Sequence, residues 1–128
     1  MNMLKINDYV FYRLSSFFEK NGGEDRDRSI SILSIIQSLN LLVFLDLISL
    51  VLNYPINLPY FVKLLLGTII FFVLNSIRYR IFKKYQDLNK LWSNENESIR
   101  IRRGFYMILH FVFSIIMPAF SRYLVMNN

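Results

Sequence analysis

The sequence predicts an all-α integral membrane protein with three transmembrane helices, an N-terminal amphipathic helix and a cytoplasmic helical-hairpin extension. Three observations lead there. Residues Ile30–Leu52 (ISILSIIQSLNLLVFLDLISLVL) carry a single charge, Asp46, over the ~20 residues that a helix needs to cross a bilayer. Two further apolar runs, 58–77 and 104–125, have similar length and character. The basic residues largely avoid all three runs and collect in two of the segments that flank them. Composition agrees, with 54% hydrophobic residues and a mean hydropathy of +0.34. At 128 residues the chain predicts one membrane domain.

Each element has its own local signal. Over 3–20, Ile6, Val10, Leu14, Phe17 and Phe18 follow helical spacing, and Tyr9, Phe11 and Tyr12 widen the apolar face. Such a helix suits the membrane interface, or else packs on the protein's own cytoplasmic part. The segment 21–28 (NGGEDRDR) predicts a solvated loop with local ion pairs. No cleavage pattern follows the first apolar run, which therefore reads as an uncleaved anchor. Ser29 is its expected N-cap. The link 53–58 holds Asn53 and Pro55 and is so short that the first two spans must be antiparallel neighbours. Pro59 fits the first turn of the second span, 58–77. Helical character then continues to Trp92, where Ile77, Ile81, Tyr85, Leu88 and Trp92 form one apolar stripe. Asn94 and Glu97 have capping-box spacing and return the chain toward the third span, 104–125, closing a hairpin over 78–103. Pro118 predicts a kink in that span.

Charge sets the orientation. Residues 1–29 hold five basic residues, the 53–58 link none and the 78–103 segment eight. The positive-inside rule therefore puts the N-terminus and 78–103 in the cytoplasm and the link and C-terminus outside. Arg78, Arg80, Lys83, Lys84, Arg100, Arg102 and Arg103 are expected to face anionic lipid headgroups rather than nucleic acid.

Polar residues inside a bilayer are costly, so each needs a partner or a task. Asp46 and Lys63 each lie ~7 Å outward of their span centres, which makes an ion pair the sharpest expectation. The alternative has Lys63 snorkelling outward and Asp46 protonated or facing another chain. Gln37, Asn75 and His110 share a depth on the cytoplasmic side and predict a hydrogen-bonded layer, either as packing glue or as a proton path. His110, Ser114, Pro118 and Ser121 read as one polar stripe on the third span. Gln37 and Asn40 fall on a second polar side of the first span, which calls for the third span or a neighbouring copy, and two polar sides on one helix favour an oligomer.

The absence of cysteine and the single histidine argue against disulfides, thiol chemistry and a multi-histidine metal site. No phosphate-loop, HExxH, CxxC or GxSxG pattern occurs, so neither an enzyme nor a cofactor is expected. DYVFYR at Asp8–Arg13, NSIRYR at Asn75–Arg80 and YQDLNKLWSNE from Tyr85 resemble small uncharacterised multi-span membrane proteins of Bacteroidetes-type bacteria. That resemblance implies a bacterial inner-membrane location and carries over no functional residue. The functional expectation is a structural subunit or membrane anchor, as a homo-oligomer or as part of a membrane complex. An oligomeric pore or toxin-like effector is the alternative, and an ion-coupled carrier the third reading.

Overall fold

The computed structural model describes residues 3–20, 26–54, 58–82 and 85–127. Every described element is helical: α1 (Met3–Lys20), α2 (Arg26–Leu52), α3 (Tyr60–Ile77), a π-helical segment (Arg78–Phe82), α4 (Tyr85–Trp92) and α5 (Glu97–Met126). Three of these helices are long and apolar enough to cross a membrane. Lys83, Lys84 and the acidic Glu24 and Asp25 lie outside the described residues.

Two of the three spans, α3 and α5, are inverted relative to a water-soluble bundle, whereas α2 between them buries Leu33, Ile36 and Leu42 as well as serines. Buried positions on α3 are Lys63, Gly67 and Asn75, and on α5 Gly104, Ser114, Pro118 and Ser121. Phe61, Leu65, Ile69 and Val73 face outward from α3, as do Phe113, Ile116 and Phe120 from α5. Small and hydrogen-bonding side chains between helices, with large apolar ones outside, suit a lipid surround, where apolar burial drives no association between helices. The hub is α2, against which both α3 and α5 pack. Close approach explains the small residues: a Cβ on Gly67 would lie 2.5 Å from Ser38 Oγ.

Helix ends depart from the sequence reading in physically clear ways. α2 begins a turn earlier than Ser29, with Asp27 favourably placed in the first turn. Ser29 is instead buried inside the helix, where Ser15 Oγ donates to its hydroxyl at 3.0 Å. At the other end Asn53 adopts φ 51°, and Tyr54 N–H donates to the Ser49 carbonyl at 3.3 Å, a left-handed helix stop that asparagine tolerates well. The cap of α5 is Asn96 rather than Asn94; its side chain accepts from Ser98 N–H at 3.1 Å. α5 runs through Pro118 as one helix.

At 1.5 Å per residue, the 27 residues of α2 extend about 40 Å and the 30 of α5 about 45 Å, beyond the ~30 Å of a hydrocarbon core. The excess contributes to a head at the basic end, built from α1, the start of α2, the π segment, α4 and the start of α5. Its core holds Tyr9, Val10, Phe11, Tyr12 and Leu14 with Ile30, Leu33, Tyr79 and Leu88. Asp8 to Tyr12 are all buried, so α1 is enclosed around its circumference there; Ile6 and Phe17 remain exposed.

The predicted straight extension beyond Ile77 is broken by the π segment. An i→i+5 turn shifts the helix face. Tyr79 is consequently buried, while Ile77 and Ile81 are exposed; Leu88 of the same stripe is in the core.

Candidate functional site

Two sets of side chains form the polar networks of the described residues: the braces between α2 and its neighbours α3 and α5, and the ion pairs and hydrogen bonds of the head.

The inner brace joins α2 to α3. Asn75 Nδ2 donates to Gln37 Oε1 at 2.7 Å and to Ser34 Oγ at 3.0 Å, and Ser38 Oγ donates to the Leu64 carbonyl at 3.0 Å. A second row joins α2 to α5. Ser114 Oγ donates to Asn40 Oδ1 at 3.0 Å, and Ser121 Oγ donates to Asp46 Oδ2 at 2.9 Å. Asp46 therefore meets Ser121 in place of Lys63. Among the described residues neither Asp46 nor Lys63 enters an ion pair, although both are buried. Equal depth placed them at one level, but depth carries no information about which neighbour each helix face meets.

Gln37 Oε1 and Asn40 Oδ1 accept hydrogen bonds within the chain, from Asn75 and Ser114. Gln37 therefore faces α3 beside Ser34, whereas Asn40 faces α5, so the two expected companions meet different helices of the same chain. His110 leaves the expected layer. The inward face of α5 passes through Gly104, Ser114, Pro118 and Ser121, with Met107 and Phe111 partly buried along it. That row steps by threes and fours, as in a coiled-coil seam. His110 sits one position beside Phe111 and is exposed.

In the head, Arg78 grips Asp8 with two hydrogen bonds, Nε to Oδ1 at 2.9 Å and Nη2 to Oδ2 at 2.8 Å. Phe11 stacks on Tyr79 with ring centroids 4.1 Å apart. Tyr79 is fully buried, and its hydroxyl has no hydrogen-bond partner among the described residues.

The second hub is Tyr9. Its hydroxyl donates to Glu95 Oε1 at 2.8 Å and accepts from Arg13 Nη1 at 2.9 Å. Arg103 Nη1 donates to the other Glu95 oxygen at 2.6 Å, and its guanidinium sits 5.4 Å from the Tyr9 ring centre. Arg13 also donates to the Arg100 carbonyl at 3.1 Å and lies across Gly104, where a Cβ would come within 3.1 Å of its Nη2. Trp92 meets Tyr9 edge-on at 5.3 Å and Tyr12 at 5.8 Å, and so anchors the head's core. Burial first, and donation to Glu95 second, hold the Tyr9 hydroxyl above its usual pKa.

The basic residues divide into two groups. Arg78, Arg80 and Arg103 pair with Asp8, Asp27 and Glu95, whereas Arg100 and Arg102 are exposed. Arg13, Glu95 and Gly67 are the residues that sequence reasoning passed over, and Asp8, which reads from the sequence as a cap for the first helix, lies inside α1 and is bound by Arg78. Asp8 inside an apolar run and the lone glycine of the second span were the available signals.

A half-open groove of about 350 Å³ separates α1 from the start of α5. Ile6, Tyr9 and Val10 form one wall, and Arg103, Tyr106, Met107 and His110 the other. No group of three or more His, Cys, Asp or Glu that could hold a metal occurs among the described residues.

No protein-family model, curated protein or solved structure matches this chain.

Proposed function

We propose that this chain is a small non-enzymatic membrane anchor, a structural subunit that presents its head to a partner protein at the membrane face. The observation that carries this reading is the attachment of the head to the spans. Asp8–Arg78 ties α1 to the end of the second span, and Tyr9–Glu95–Arg103 ties it to the start of the third. A partner seated on the head is thereby held at a fixed place on the bilayer. The polar residues of α2 serve as braces between helices in this account.

The distribution of basic residues supports a cytoplasmic head and N-terminus, with the 53–58 link and the C-terminus outside, and the motif resemblance supports a bacterial inner membrane. Exposed Ile6 and Phe17 give α1 an edge for the headgroup region. In this reading the chain works within a larger membrane complex, in one copy or several.

An oligomeric pore is the competing reading. Lys63, buried without an ion pair among the described residues, is the observation that favours it. Ion leak from liposomes containing the purified full chain separates the two. The anchor reading expects tight liposomes. A conductance abolished by Lys63→Met overturns it.

A further inference from the structure

We infer that the groove between α1 and α5 is a specific site for one phospholipid with an anionic headgroup, its acyl chain lying in the groove and its phosphate at Arg103. The inference rests on the reading of the three apolar helices as bilayer spans. It goes beyond general attraction to anionic lipid, because it predicts a held lipid at one place.

Three observations converge. The groove walls are almost wholly apolar, and its volume of about 350 Å³ falls at the small end of the ~300–1,000 Å³ of ligand pockets, suited to one chain segment. From Arg103 to His110 the groove follows α5 for seven residues, ~10 Å at the helical rise, leading from the basic head into the apolar belt. Charge complements a phosphate at the head end. Arg100, Arg102 and Arg103 occupy three of four successive positions, with Glu95 and Glu97 the nearby acids in the chain. Glu95 is 5% exposed and already receives Tyr9 and Arg103, while the Arg103 side chain keeps 34% exposure. A guanidinium has five N–H donors, so the bond to Glu95 leaves others for a phosphate oxygen.

The alternative occupants are a zwitterionic lipid, a second copy of the chain, or nothing. They are distinguished with the full chain in phosphatidylcholine vesicles doped with photo-crosslinkable phosphatidylglycerol or, in a parallel arm, photo-crosslinkable phosphatidylcholine. Flotation with the vesicles is scored first; a chain that fails to float contradicts the membrane reading itself. For a chain that floats, the expected result is a phosphatidylglycerol adduct on α1 or on the 103–110 stretch, well above the phosphatidylcholine adduct. Ile6→Trp fills the groove from its exposed edge and should abolish that adduct. Phe113→Trp, on the lipid-facing surface, should retain it, and both variants should keep the parent melting temperature. Equal labelling by the two lipids, labelling unchanged in Ile6→Trp, or a peptide from a second copy crosslinked in the groove would each overturn the inference.

Discussion

Asp8 on the first helix and Arg78 just beyond the second span share two parallel hydrogen bonds of 2.8–2.9 Å, a fork-to-carboxylate geometry that only arginine supplies. The Asp8 side chain is 6% exposed and that of Arg78 29%. Removing the arginine strands a buried carboxylate, whereas removing the aspartate leaves a cation that can turn to water. Arg78→Met should therefore cost more stability than Asp8→Asn. The expected loss is about 2–3 kcal/mol, below the ~3–5 kcal/mol of a fully buried pair because Arg78 is partly solvated. Arg78→Lys should recover little, since a point charge cannot reproduce the fork. Denaturant unfolding in detergent micelles measures all three.

Gly67 and Ser38 set the distance between α2 and α3. A methyl group on Gly67 collides with Ser38 Oγ, so Gly67→Ala should destabilise by ~1–3 kcal/mol, the usual scale of overpacking. Combining it with Ser38→Ala removes the colliding atom and should return part of that loss. A double-mutant cycle in the same unfolding assay reads the coupling; strict additivity would show that the helices do not approach this closely.

Asp46 and Lys63 should behave independently. Asp46 is held by Ser121 at 2.9 Å, so Asp46→Asn keeps an acceptor for that hydroxyl. Asp46→Asn and Lys63→Met are predicted to have additive effects on accumulation in membranes. Mutual rescue in the double variant would mean that the two charges pair after all.

The inner brace should be worth little energy but fix the register of the hairpin. Asn75→Leu removes two interhelical hydrogen bonds, and such bonds average ~0.6 kcal/mol each in membranes. A loss of roughly 1 kcal/mol is expected, with Gln37→Leu contributing little more in the Asn75→Leu background.

Alkaline pH should loosen the head through Tyr9. Its pKa is raised in the folded state, chiefly by burial and then by its bond to Glu95. The fold thus favours the neutral phenol. This stabilisation is complete below the unfolded value, ~10, and is lost as pH rises through the folded one. Tyr9→Phe should remove this part of the alkaline sensitivity. It should also reduce stability at neutral pH by about 1–3 kcal/mol, because buried Glu95 loses a donor. Unfolding midpoints across pH 8–11 test both statements.

The three spans were legible because a run such as 30–52, with one charge, has few alternatives in any environment. The polar residues inside them were legible as residues needing partners, but their partners were not. Facing depends on crossing geometry, and the inward row of α5 steps by threes and fours, which excludes His110 and admits Met107. The head was least legible. α1 reads as an amphipathic surface helix because Ile6, Val10 and Leu14 share one face. The burial of Asp8 to Tyr12 depends on Arg78, Glu95 and Trp92 arriving from distant parts of the chain. The π segment was invisible, since nothing in RYRIF distinguishes an i→i+5 turn from an ordinary one.

The central claim is that the head is a docking platform fixed to three membrane spans. Its most direct test is the mass and composition of the complex that carries this chain, extracted from native membranes in a mild detergent after crosslinking. The account predicts a second protein in fixed stoichiometry, with crosslinks on the head and its amount reduced by Arg78→Met. A complex containing only copies of this chain would contradict it.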